Sequence, residues 1–202
     1  KFKQFIRKNR NALLILPRYD HSQRRSLVDV IDLNNFETIH TYKHDIAEMN
    51  DKIENIKEFP RINIDNHPIR FQYMHPLILN DGSLISDSDF SIEFKIDICS
   101  NLEWINDEEQ FHHSKMLDHE GNIWVGGRMQ PESKYIKKFE VEGFFDDSIV
   151  KLSQEGKILF NKSVAEILIE CKILDKNQIS QNMMRRNIDP IHLNDIEPAL
   201  QN

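Results

Sequence analysis

The chain has 202 residues, with 26 basic against 33 acidic side chains and a formal net charge of -7 when histidine is neutral. That length supports one sizeable core or two small ones. The acidic balance, without a dense Lys/Arg block, argues against a nucleic-acid partner, since a phosphate-binding surface needs clustered basic groups.

No run of about 18 apolar residues occurs, so no membrane-spanning helix is expected. Ala12–Pro17 (ALLILP) is an apolar run suited to a buried strand and stopped by Pro17. Ser26–Leu33 and Phe36–Tyr42, separated by the Asn34-Asn35 bend, add two strands and suggest an antiparallel meander. Met49, Ile53, Ile56 and Phe59 fall at helical spacing up to Pro60. Strand signals return at Met74–Leu79, turn at Asn80-Asp81-Gly82, and resume at Ser83–Ser86, Ser91–Asp97 and Leu102–Ile105. A hairpin follows, His112–Leu117 and Asn122–Gly126 around an Asp/Glu-Gly bend. Gln130–Lys138 reads as a loop, Ser148–Leu152 and Lys157–Phe160 as a strand pair, and Val164, Ile167, Leu168 and Cys171 as one face of a helix. Asp189–Ile196 (DPIHLNDI) reads as a turn and another alternating strand.

The turn cores NDGSLI (Asn80–Ile85), HEGNIW (His119–Trp124) and QEGKIL (Gln154–Leu159) are three versions of one hairpin signal. Asp32, Asp97 and Ser153 each end a strand and are followed seven residues later by Ile39, Trp104 or Phe160. Repeated four-stranded meanders predict an all-β fold, a partial β-propeller of antiparallel blades with short helical insertions across 1–202. Blade portions are expected at 12–42, 74–105 and 112–160, with a further blade starting at 189–202.

Aligned strand starts superimpose His112-His113-Ser114-Lys115-Met116 on His192-Leu193-Asn194-Asp195-Ile196, pairing His112 with His192 and Ser114 with Asn194. Met74-His75-Pro76-Leu77 is a weaker third copy. Strand alternation puts His112, Ser114 and Met116 on one face and His113, Lys115 and Leu117 on the other. First strands line the channel of a propeller, so His112 and His192 are expected to converge there. Imidazoles so placed can transfer protons, orient an anion or act as nucleophiles. Taken singly, paired histidines are more often surface or cap residues.

Arg128, after Gly126-Gly127, is a candidate for binding an anionic oxygen group, and Arg70 is a weaker one. Trp104, Trp124 and Phe160 read as packing residues, and Asp81, Asp118 and Glu120 as turn residues. There is no HExxH segment or compact Cys/His set, so no metal is assigned. Cys99 and Cys171 fit neither a metal pattern nor a dense disulfide framework. Nor does any nucleophile elbow, dinucleotide fingerprint or phosphate loop occur, and no cofactor is expected.

Met74–Ser86, His112–Gly127, Asp146–Phe160 and Asp189–Ile196, taken in order, resemble the bacterial arylsulfotransferases and their arylsulfotransferase-like β-propellers, over about residues 70–202. The resemblance implies sulfuryl transfer from an aromatic sulfate donor to a phenolic acceptor through a sulfated histidine, without a nucleotide donor. His112 and His192 would contact the transferring sulfate or phenolic oxygen, and His113, Asn194 and Arg128 would bind substrate. An imidazolium would stabilise negative charge and a neutral imidazole would accept the phenolic proton. The family's later arginine and its nucleophilic histidine have no counterpart before Asn202. The chain is therefore expected to belong to a larger six-bladed propeller, with the nucleophile and further blades, or another subunit, covering its open edges. A periplasmic or exported location follows from the resemblance alone. The competing expectations are a noncatalytic propeller binding a small anion, glycan or protein, and a metal-dependent hydrolase if several histidines surround an open coordination position.

Overall fold

Three turns with one geometry set the strand spacing. Gly82, Gly121 and Gly156 all take left-handed backbone, with φ of 81°, 82° and 78°, and each amide bonds back to the carbonyl three residues earlier, on Leu79, Asp118 and Ser153. A side-chain acceptor stabilises each bend: Asp81 takes the Ser83 amide, Asp118 takes those of Glu120 and Asn122, and Ser153 takes those of Glu155 and Lys157. These are the chemical roles Asp and Ser play in turns, beside a glycine that bears no Cβ penalty.

The structure is a computed structural model describing residues 12–55, 66–89, 91–135, 145–175, 177–179 and 191–199. It is predominantly β. Strands β1 (Leu13–Asp20), β2 (Arg25–Asp32) and β3 (Glu37–Tyr42) form a three-stranded antiparallel sheet. A seven-stranded meander follows in chain order: β4 (Met74–Ile78), β5 (Leu84–Asp87), β6 (Ser91–Ile96), β7 (Leu102–Leu117), β8 (Ile123–Arg128), β9 (Asp147–Leu152) and β10 (Ile158–Ser163). Every pairing is antiparallel, and among the described residues neither sheet closes on itself. Helices are short, α1 (Ile46–Asn50) and α2 (Val164–Glu170). Among the described residues no helix is long and apolar enough to cross a membrane.

The 16-residue β7 unites what the sequence divides into separate strands at Leu102–Ile105 and His112–Leu117. Its first part pairs with β6, Trp104 opposite Lys95 and Asn106 opposite Glu93, and its second part pairs with β8 from Gln110 onward. The core shows why. Val28, Val30 and Tyr42 of the first sheet pack against Leu84, Ile92, Phe94 and Ile96 on one face of β5–β6. Ile85, the next residue of β5, turns to the other face and joins Phe111, Ile123, Val125, Val150 and Leu152. Alternation along β5 thus serves two cores, and three sheet segments stack face to face with β7 passing from the second to the third.

Several local expectations are corrected. β1 is an edge strand whose Leu13, Leu14 and Leu16 are exposed, and it continues through Pro17, as an edge strand permits. Helix α1 is capped by Asp45 and ends at Asn50, so Ile53 lies beyond it, and Ile56 and Phe59 lie outside the described residues. In α2 the buried residue is Ala165, covered by Ile179 with Ile169 and Leu174 alongside, while Cys171 ends the helix as an exposed cap. Residues 191–199 form no strand ladder. Trp104 and Trp124 do pack as expected, Trp104 against Gly156 and Trp124 against Phe160.

Candidate functional site

Two sheet irregularities build the site. On β4, Met74 faces Asp87 but Leu77 faces Ile85, and on β7, His112 faces Gly126 but Lys115 faces Val125. His75-Pro76 thus stand opposite Ser86 alone, one residue in surplus, and His113-Ser114 have no residue opposite them, two in surplus. At both bulges the histidine turns left-handed, with φ of 42° at His75 and 67° at His113, and His192 adopts 54°. A side-chain-bearing residue held there costs about 1–3 kcal/mol and persists only where its surroundings over-determine it, and bulges re-aim side chains at functional sites.

The three rings consequently form a row. The His75 and His113 centroids lie 6.3 Å apart and those of His113 and His192 6.1 Å. His112 stands behind the row, 4.8 Å from His113 ring to ring. His75 and His192 are exposed, His113 is half-buried and His112 is buried. The sequence alignment pairs His112 with His192, whereas the residues that share left-handed backbone are His113 and His192, together with His75.

Burial, followed by the neighbouring His112, His75 and His192, pushes the His113 imidazole below its ordinary pKa, although Asp89 opposes this. The ring is thereby favoured in its neutral, proton-accepting form. Behind it, His112 Nε2 lies 3.5 Å from Asp147 Oδ1. The other Asp147 oxygen accepts the Leu193 amide at 2.8 Å, so one carboxylate braces His112 and the segment bearing His192. Gly126 makes the close approach possible: a Cβ there would stand 3.2 Å from the His112 carbonyl and 3.6 Å from the Leu193 side chain.

A second buried layer consists of Lys115, Asp87 and Glu93. Lys115 Nζ is 3.0 Å from Asp87 Oδ1 and 3.7 Å from Glu93 Oε1. Burial raises the pKa of both carboxyl groups, Glu93 the further, while both hold the Lys115 ammonium charged against its own desolvation. Asp87 makes the closer contact and serves as the counter-ion of the ammonium.

Ser114 donates to Asp195 Oδ1 and to the Asn194 carbonyl, joining the bulge to the last described segment. Asn194 is exposed and its amide donates to the His192 carbonyl at 3.0 Å. Arg128 ends β8 opposite Gln110 and Asp147, at the same sheet end as His112, and its guanidinium lies 3.5 Å over the Phe145 ring. Arg70 is exposed in a turn. Among the described residues no three His, Cys, Asp or Glu side chains gather in a metal-holding arrangement.

Sequence reasoning missed Lys115, Asp87, Glu93 and Asp147 as partners of the histidines. Its alternation rule places Lys115 in the unbulged strand, and nothing local marks a lysine as buried. Asp147 does carry a signal, the Asp146-Asp147 pair heading a strand.

Comparison with known families matches the model described as Arylsulfotransferase (ASST) over residues 75–201, from the first left-handed histidine to beyond the third. No curated protein matches the chain.

Proposed function

The chain belongs to the arylsulfotransferase family, and we propose that its imidazole row is where a sulfuryl group passes from an aryl sulfate to a phenol. The observation carrying this reading is the row itself, His75–His113–His192, set by left-handed residues in three separate segments. Such strain concentrates where geometry matters to chemistry.

In the proposed cycle a histidine nitrogen attacks sulfur, the S–N bond forms, and the S–O bond to the aryl group breaks. The leaving phenolate takes a proton from a neighbouring imidazolium. In the second half an acceptor phenol gives its proton to an imidazole, its oxygen attacks sulfur, and the S–N bond breaks. His192 would contact the sulfate or the phenolic oxygen directly, and His112, buried behind the row, would act on it through the His113 ring 4.8 Å away. His113, favoured neutral, is suited to accept the phenolic proton. Asn194 would orient substrate, and Arg128 would add positive charge at the same sheet end. The stacked segments are proposed as propeller blades, with β7 serving as the outer strand of one and the inner strand of the next.

The test is to incubate the protein in its natural full length with an aryl sulfate and to look for a sulfuryl mass gain on histidine under conditions that preserve N–S bonds. Expected are an adduct and its transfer to an added phenol. A folded protein that forms no adduct with a varied donor panel would instead indicate a noncatalytic propeller binding an anion, glycan or protein.

A further inference from the structure

Lys115 is wholly enclosed, yet it is a charged side chain immediately behind the imidazole row. Its ammonium donates to Asp87 Oδ1 at 3.0 Å and to three carbonyl oxygens, those of Met74 at 3.2 Å, His75 at 3.4 Å and His113 at 3.4 Å. Three N–H bonds shared among four acceptors use its whole donor capacity. Two of those acceptors belong to His75 and His113, the left-handed residues of two different bulges. Asn194 does the same job at the third position: it lies two residues beyond His192, as Lys115 lies two beyond His113, and its side chain also bonds back to the carbonyl of its histidine.

We propose that Lys115 is a positioning residue, whose buried ammonium pins the His75 and His113 carbonyls and thereby fixes both bulges from which their imidazoles project. The assignment of a purpose to that row rests on the sulfuryl-transfer reading. The pinning itself rests on the bonds alone. A neutral side chain could not serve as well, because a carbonyl bonded to a charged donor is held more strongly than one bonded to a neutral donor. The nearby carboxyls make the buried charge tolerable, Asp87 as the ion-pair partner at 3.0 Å and Glu93 as a second carboxyl 3.7 Å away.

The test compares wild type, Asp87→Asn and the Asp87→Asn/Lys115→Met double variant in the full-length protein. Lys115→Met alone would strand the Asp87 charge; the double variant removes the pair together and should fold. Steady-state aryl sulfate turnover should fall about 100-fold in kcat in the double variant with KM little changed, the scale expected for misplaced reacting groups. Asp87→Asn, which keeps both carbonyl bonds, should lose far less. A second readout does not depend on turnover: proton NMR titration of the histidine rings, with His113 assigned by its absence from a His113→Gln spectrum. In the double variant His113 should titrate closer to free histidine than in wild type. If wild type transfers no sulfuryl group, the reading of the site falls, and the titration alone decides Lys115. An unchanged His113 titration in a folded double variant overturns the proposal, as does wild-type kcat.

Discussion

In the proposed cycle His113 is the ring suited to accept the phenolic proton. Its pKa is pushed below the ordinary 6.5 by burial and by the adjoining imidazoles. The stability associated with a neutral His113 is therefore complete above about 6.5 and is lost as pH falls below it towards the folded value. Transfer to a phenol should show an acidic limb below the usual histidine pKa, and His113→Gln should flatten that limb and lower kcat by about 100-fold or more, as read from a pH–rate profile. Glu109 works in the opposite sense. Burial pushes it up to about 8 from an ordinary 4.5, against the Asn161 amide bonded to it at 2.6 Å. The folded state holds a proton that the unfolded chain releases, so stability should decline as pH rises from about 4.5 to about 8. Glu109→Gln keeps the neutral shape and should be more stable at pH 8 by on the order of 2 kcal/mol, with a flatter dependence of Tm on pH.

At the scale of turns and strands, the bends are the most sharply specified parts. Gly156 combines φ of 78° with an indole packed where a Cβ would stand, 2.6 Å from two Trp104 ring atoms. Gly156→Ala should cost about 1–3 kcal/mol in denaturant midpoints, since the rigid ring cannot swing aside as a flexible chain end would. These bends were legible in the sequence because Asp, Ser and Gly act locally: a few adjacent residues contain the whole cause. The strands between them were legible for a similar reason, through alternation. The bulges were not, since an extra residue changes no composition and shows only in the pairing of β7 with β8. Missing it hid Lys115, whose partners Asp87 and Glu93 lie on β5 and β6. Proline in β1 misled in the other direction, because its effect depends on whether the strand is an edge, a fact settled only by tertiary pairing.

Across the molecule, the alternation of β5 contributes side chains to two cores, which predicts that they unfold as one cooperative body. Leu84 and Ile85 are both fully buried but face different clusters. Leu84→Ala should cost about 2–5 kcal/mol. Its loss should also lower hydrogen-exchange protection in β8 and β9, which Leu84 does not touch, because both cores share a backbone; protection falling only in β1–β6 would mean the layers open independently. Strand β7 extends this union in a way that matters for dissection. A cut at the exposed His119-Glu120 bend leaves β7 whole and paired with β6 on one piece, whereas a cut between Asp107 and Phe111 divides the strand itself, between most of its β6 partners and its β8 partners. Split halves made at the bend keep a complete template onto which β8–β10 can dock, so reassembly from fragments is favoured there and disfavoured within β7.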